Sequence, residues 1–299
     1  MAESHRTQER GLLEEAITTL FCLVDDAYAS LNPKGHCYAS LKRLSDSEVI
    51  ALALFQQLRG VESERSFLRD ASRFFAHLFP GVVGLAPSSF HRRVRKLRRF
   101  LEPLRKTVVA DLVGDPETLI VDSSLLAVLH PRQVGQSAGW GGSSTGAAWV
   151  RWGSFSVYGV KLHLVCATNR VPLSYELTPA NVAEVRLTEE LLDGAGLGEG
   201  AARVLLGDLA YRSGALEEAL AGCGVRLVTE RAEQRGKKRQ QVEIAFASLK
   251  REFRLGETLA TTLVGLATRI AAKVAAYTYG FYVNRLLGRP QGRIKELWA

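Results

Sequence analysis

Apolar positions recur at helical spacing near the start of the chain, where Leu12, Leu13, Ala16, Leu20 and Leu23 mark one face. A second helix is predicted from the capping signal Ser45-Asp46-Ser47-Glu48, a serine three residues ahead of a glutamate, followed by the apolar run 49–58 and Gly60. A third is expected over 63–78, halted by Pro80-Gly81, and a fourth from Pro87-Ser88-Ser89 through Phe100. No internal repeat or low-complexity tract interrupts this pattern. Residues 1–115 therefore read as all-helical.

Beyond Gly114-Asp115-Pro116 the period shortens. Strands are predicted at 118–121, at 160–167, where the chain alternates around Lys161 and His163, and at 171–177, 203–206 and 225–228. Helices are expected at 181–192, closed by Gly194, at 216–222, and finally at 239–253 and 261–287. Three strands, helix, strand, helix, strand, helix is the order of a ribonuclease-H-like mixed sheet. Periodicity alone supports only an α/β domain over 116–299, and the specific fold needs the acidic residues as well.

Composition narrows the partners. Of the 299 residues, 46% are hydrophobic and 23% charged, the balance of a soluble globular protein. No run approaches a membrane span, and Met-Ala-Glu-Ser-His-Arg lacks the basic start of a secretory signal, so a cytoplasmic location is expected. Cys22, Cys37, Cys166 and Cys223 are scattered without a C-x-x-C pair, which argues for reduced thiols and against zinc. The net charge of +8 favours a polyanionic partner, but where the charge sits matters more than its sum.

It sits chiefly in 91–106. There Arg92, Arg93, Arg95, Lys96, Arg98 and Arg99 surround an apolar stripe of Val94, Leu97, Phe100, Leu101 and Leu104, with only Glu102 to balance them. Ser88 and Ser89 are plausible caps, and a helix N-terminus welcomes phosphate. After a helix-turn pair this resembles the recognition element of a helix-turn-helix, so double-stranded DNA contact is expected rather than a merely solvated face. A second basic stretch, Arg231, Arg235, Lys237, Lys238 and Arg239, precedes the helix at 239–253. The Gly- and Ser-rich segment 131–153 holds Trp140, Trp149 and Trp152, which either stack on an unpaired base or anchor a long loop.

The acids carry the chemistry. Leu119-Ile120-Val121 runs into Asp122, and Val204-Leu205-Leu206-Gly207 runs into Asp208. Two apolar strands that end in carboxylates, if neighbours, bring both acids to one place, where a divalent cation relieves their repulsion. In the later helix Val242, Phe246, Leu249 and Phe253 form the buried stripe, and Glu243 borders it. Arg239 lies one turn before Glu243 and Lys250 two turns after, positioned to grip phosphates. His163 could face such a site, although a mid-strand histidine is more often a packing residue. Lys161, on the same face, is the better phosphate ligand.

These residues resemble a family. Arg239, Glu243 and Lys250 follow the arginine, three, glutamate, six, lysine spacing of many insertion-sequence DDE transposases, although the family's tyrosine position holds Gly236. Ile-Val-Asp122-Ser-Ser and Leu-Gly-Asp208-Leu-Ala-Tyr look like its two aspartate motifs, and Tyr158-Gly159-Val160-Lys161-Leu162-His163 like its second strand. Upstream, Leu44-Ser45-Asp46-Ser47-Glu48-Val49 and Glu62-Ser63-Glu64-Arg65-Ser66-Phe67-Leu68 resemble the leader of insertion-sequence family nine-eight-two.

The resemblance implies a helical DNA-binding region at 1–115 and a ribonuclease-H-like catalytic domain at 116–299. It implies cleavage of transposon ends and joining of their 3′-hydroxyls to target DNA. Asp122 would bridge two Mg²⁺ ions, with Asp208 and Glu243 each holding one and Mn²⁺ able to substitute. A homodimer on DNA is also implied. A metal-dependent nuclease without strand transfer and a catalytically inactive DNA-binding regulator remain as alternatives.

Overall fold

The computed structural model describes residues 2–34, 42–136, 139–140, 146–197, 201–229 and 236–297. Four helices come first: α1 (Ala2–Leu31), α2 (Asp46–Leu58), α3 (Glu64–Phe74) and α4 (Pro87–Val113). The expected capping box closes α2: the Ser45 hydroxyl accepts from the Glu48 N–H while the Glu48 carboxylate accepts from the Ser45 N–H. Ser63 caps α3 in the same way, through the Ser66 N–H. Helix α4 does not stop near Phe100 but runs on through Pro103 to Val113. Leu101, Leu104, Val108, Val109 and Leu112 continue its buried stripe, and that burial outweighs the hydrogen bond the proline deletes.

The α/β part then unfolds as β1 (Thr118–Leu129), β2 (Ala148–Trp152), β3 (Phe155–Ala167), β4 (Pro172–Pro179), α5 (Thr188–Ala195), β5 (Arg203–Gly207), α6 (Gly214–Gly222), β6 (Val225–Thr229), α7 (Gln240–Arg251) and α8 (Leu263–Leu286). The sheet order is β2-β3-β1-β5-β6, with β4 also on β3. β3 is antiparallel to β1, β2 and β4, whereas β1, β5 and β6 are mutually parallel. With β2 set aside, this is the ribonuclease-H-like arrangement that the element order implied.

Three departures are informative. β1 is twelve residues long, so Asp122 lies inside it rather than at its end. Part of the segment read as a loop, 131–153, forms β2, which extends the sheet along the first residues of β3. The helix expected from 181 starts only at Thr188, after a 3₁₀ turn at Glu184–Leu187.

The chain divides into two compact units. One, helical, gathers Met1–Val108, Arg251–Leu259 and Thr268–Ala299; the other, built on the sheet, gathers Val109–Lys250 and Ala260–Ala267. Inside the helical unit, α8 is tied down by a buried ion pair between Lys273 and Glu62, with the Lys273 ammonium also donating to the Phe253 carbonyl. In the sheet unit, Leu119, Ile120 and Val121 of β1 and most of β3 are inaccessible to solvent. Gly159 of β3 is required by close approach, because a Cβ there would lie 2.2 Å from the Leu126 carbonyl oxygen.

Candidate active site

Parallel pairing of β1 with β5 matches Ile120 to Leu206. Two residues further, in the same register, stand Asp122 and Asp208. The backbone of Asp208 is still extended (φ −85°, ψ −179°), so it continues the direction of β5 beyond the last ladder pair. Neighbouring strands lie about 4.8 Å apart and side chains alternate, so both aspartates project from the same sheet face. Each is oriented locally. Asp122 accepts from the Ser123 N–H at 2.8 Å, and Asp208 accepts from the Ala210 N–H at 2.9 Å.

Glu243 sits in the first turn of α7, whose buried face includes Val242, Phe246 and Leu249 as the spacing predicted, joined by Ala245; Phe253, just past the helix, is buried too. Its charge reaches Asp122. The Asp122 carboxyl is raised to about 6, first by burial and further by the charges of Asp208 and Glu243; the Ser123 N–H and the Arg239 guanidinium act in the opposite direction. Three carboxylates from distant chain segments thus share one electrostatic neighbourhood. Among the described residues, no three His, Cys, Asp or Glu side chains lie close enough together to hold a metal as they stand. The donor set nonetheless suits a hard divalent cation. All three groups offer carboxylate oxygens, and a cation would relieve the penalty that burial and the neighbouring acids put on the Asp122 charge.

Arg239 is 3% exposed, and its Nε and Nη1 atoms have no hydrogen-bond partner. Its charge acts on Asp122 and on the Tyr211 hydroxyl, so it lies in the same electrostatic neighbourhood with these two atoms unsatisfied. Lys250, Lys237 and Lys238 are exposed, Lys238 with a long contact of 3.4 Å to the Thr118 hydroxyl. Arg231 and Arg235 lie outside the described residues.

Lys161 and His163 are not brought to the aspartates. The β1–β3 register pairs Ser123 with His163 and Asp122 with Leu164, so alternation puts Lys161 and His163 on the opposite face. Lys161, expected at a phosphate, is instead buried, donating to Glu184 Oε1 at 2.7 Å and to the Val182 carbonyl at 2.9 Å. His163 is fully buried with Nε2 2.9 Å from the Thr178 hydroxyl; burial pushes it down to about 4, so it stays neutral in the core. The packing role holds for it.

Two residues near the site were not singled out by the sequence. Glu184 accepts from Lys161 and, at 3.2 Å, from the Ser123 hydroxyl, so it braces the residue next to Asp122. Burial opposes its ionisation, but the hydrogen bond and charge of Lys161 outweigh that and hold its carboxyl below the ordinary value. No sequence pattern marked it, since it stands in the segment read as helix. Tyr211 did carry a signal, three residues after Asp208 in Leu-Gly-Asp-Leu-Ala-Tyr. It is fully buried with its hydroxyl unpartnered, and its ring lies where a Cβ at Gly207 would come within 3.1 Å. Burial, and then the charges of Asp122, Glu184 and Asp208, push that hydroxyl far up.

On α4, Arg92, Arg95, Lys96, Arg98 and Arg99 are exposed. Arg93, expected among the DNA contacts, is instead spent on structure. It donates to the Leu44 carbonyl at 2.8 Å, to the Ser45 carbonyl at 3.1 Å and to Asp46 Oδ1 at 2.6 Å, pinning the start of α2. Trp140 is buried, and its carbonyl accepts from the Tyr158 hydroxyl, so this indole anchors its segment. Trp149 is 45% exposed and meets the Tyr158 ring edge-on. The Trp152 side chain and Cys37 lie outside the described residues. Among the described residues Cys22, Cys166 and Cys223 form no disulfide, and no described helix is long and apolar enough to cross a membrane.

No curated protein matches the chain. Three solved structures align loosely. A cryo-EM piggyBac transposase synaptic complex with hairpin DNA shows 10% identity and a TM-score of 0.47, over 97% of this chain and 79% of that one. The crystal structure of the Mos1 strand transfer complex shows 15% identity and a TM-score of 0.37, over 86% and 78%. A Mos1 paired-end complex with the left transposon end shows 13% and 0.35 over the same shares. The family model for the transposase DDE domain matches residues 113–279, the stretch that contains β1, β5 and α7 with their three acids. The chain belongs to the transposase DDE domain family.

Proposed function

We propose that this transposase cleaves the ends of its element and joins their 3′-hydroxyls to target DNA at Asp122, Asp208 and Glu243. Asp122 would share two Mg²⁺ or Mn²⁺ ions, with Asp208 and Glu243 each holding one. Bound there, the cations supply activation of the attacking oxygen and charge relief at the phosphate. Arg239 brings unpartnered N–H groups toward the same place and suits a phosphate oxygen as a fork. Exposed Lys250, Lys237 and Lys238 add point charges for the strand, and the outer face of α4, Arg92, Arg95, Lys96 and Arg99, tracks the duplex backbone. Paired element ends call for two active sites, hence a homodimer on DNA.

The observation that carries this reading is the register of β1 with β5, which sets Asp122 and Asp208 on one sheet face, with Glu243 near enough to help raise the Asp122 carboxyl. The test is incubation with DNA flanking its own gene in Mg²⁺, mapping cuts on both strands, for wild type and Asp122→Asn. Cleavage at element ends by wild type alone is expected. Full Mg²⁺-dependent cleavage by a folded Asp122→Asn protein would remove the assignment. A joining assay into a target plasmid separates transposition from plain nuclease action.

A further inference from the structure

The helical unit holds a cleft of about 520 Å³ between the end of α1 and the basic face of α4. We propose that it receives one unpaired nucleotide of DNA, with the base against the Tyr28–Phe100 wall and the phosphate on Lys96 and Arg99. This rests on the reading of α4 as DNA-facing, and deepens it from backbone tracking to capture of a displaced base.

The lining explains the choice of ligand. Asp46, its one acid, is already engaged by Lys42 at 2.7 Å, by Arg93 at 2.6 Å and by the Tyr28 hydroxyl at 3.2 Å. Four cations against one carboxylate leave a lining of net +3. The uncommitted charges are Lys96 and Arg99. Among the described residues Lys96 has neither hydrogen bond nor ion pair, and Arg99 lies over the Phe100 ring at 4.9 Å. A dianion alone would need only the cations. The aromatic wall, with Tyr28 and Phe100 rings edge to face at 4.9 Å, adds a surface for a base. Tyr28 is held fixed, since its hydroxyl donates to Asp46 and accepts from the Asn32 amide. Arginine planes also stack on bases, so Arg99 can exchange one ring for another. A cleft of this volume matches small-ligand sites of roughly 300–1,000 Å³ and excludes a base-paired duplex.

The test uses the full chain without divalent cation, so it is independent of the carboxylates. An oligodeoxythymidylate carrying one 5-iododeoxyuridine is irradiated with the protein, and the crosslinked residue is identified by mass spectrometry. Crosslinks at Tyr28 or Phe100 are expected, at least tenfold weaker when the oligonucleotide is annealed to its complement. Lys96→Glu with Arg99→Glu, both exposed, should leave the melting curve unchanged and weaken single-strand binding at least tenfold. Tyr28→Phe, which keeps the ring, should bind like wild type. Crosslinks only outside the cleft, equal crosslinking of the duplex, or unchanged affinity in the double variant would overturn the proposal. Duplex binding that depends on Arg92 and Arg95 without any crosslink in the cleft would remove this inference and leave the DNA-facing reading of α4 standing. A wild-type protein that binds no DNA, single- or double-stranded, would remove both.

Discussion

In the absence of divalent cation, Asp122→Asn should make the protein harder to unfold at pH 7.5 even as it abolishes cleavage. The wild-type carboxyl, ordinarily near 3.8, is raised to about 6 by burial and by Asp208 and Glu243. The fold therefore prefers the proton more than the unfolded chain does. The stabilising contribution of the protonated group is fully present below pH 3.8 and is lost as pH rises through 6, leaving a penalty at neutral pH. At about 1.4 kcal/mol per pH unit the ceiling is about 3 kcal/mol. Asp122 keeps some access to water, so about 1–3 kcal/mol is the working figure. Asparagine keeps an acceptor for the Ser123 N–H and carries no charge, so it should recover most of this. Urea unfolding in EDTA at pH 7.5 and pH 4 measures it: the variant should gain at pH 7.5 and not at pH 4. Adding Mg²⁺ should stabilise wild type and leave the variant unmoved. A variant that is neutral or destabilised at pH 7.5 would show that Asp122 is not held against its ionisation, and the convergence of acids would lose its support.

Further outcomes follow from committed side chains. Arg93→Ala should destabilise the protein by about 2–3 kcal/mol, because three hydrogen bonds at the start of α2 are lost, one of them to a charged carboxylate. Exposed Arg95→Ala should change denaturation midpoints little, and should instead reduce the salt dependence of DNA binding by about one phosphate contact. Lys161→Met should cost about 2 kcal/mol by leaving Glu184 half-buried without its cation, and Glu184→Gln should restore part of it in a double-mutant cycle. Because Glu184 is held below its ordinary 4.5, the pair's stabilisation is present above that pH and is lost as pH falls through the depressed value, as acid titration of the wild type and Glu184→Gln should show. Gly159→Ala forces a Cβ to within 2.2 Å of a backbone carbonyl and should lower soluble yield or cost at least about 2 kcal/mol by calorimetry.

Local patterns announced much of this architecture. The capping box of α2, the apolar runs of β1 and β5 and the stripe of α7 are written in contiguous residues, so spacing alone exposes them. The aspartates were legible because each follows such a run. Other features depend on partners distant in sequence. Arg93 looked like its neighbours on α4, and only the fold shows that it reaches carbonyls 48 and 49 residues away. Lys161 and His163 alternate correctly, but which face they occupy depends on the pairing of β3 with β1, a register no single strand encodes. The extension of α4 past Phe100 was hidden for a related reason, since the cost of Pro103 is local whereas the burial that overrides it is tertiary. Glu184 was invisible because its role is to hold a residue 61 positions earlier.

The site's two oddities belong together. Buried donors in proteins are almost always satisfied, yet Arg239 Nε and Nη1 and the Tyr211 hydroxyl are not. Beside them stands a carboxylate whose ionisation is disfavoured by burial first and then by the charges of Asp208 and Glu243. The two deficits have opposite sign, but without hydrogen bonds between them they do not cancel. A phosphodiester brings acceptor oxygens for the donors, and a cation brings charge for the acids. In the proposed reaction each deficit would be relieved by a different component, and each component would also attract the other. Cation and DNA should therefore bind with positive coupling, and by linkage the gain in cation affinity on adding DNA must equal the gain in DNA affinity on adding cation.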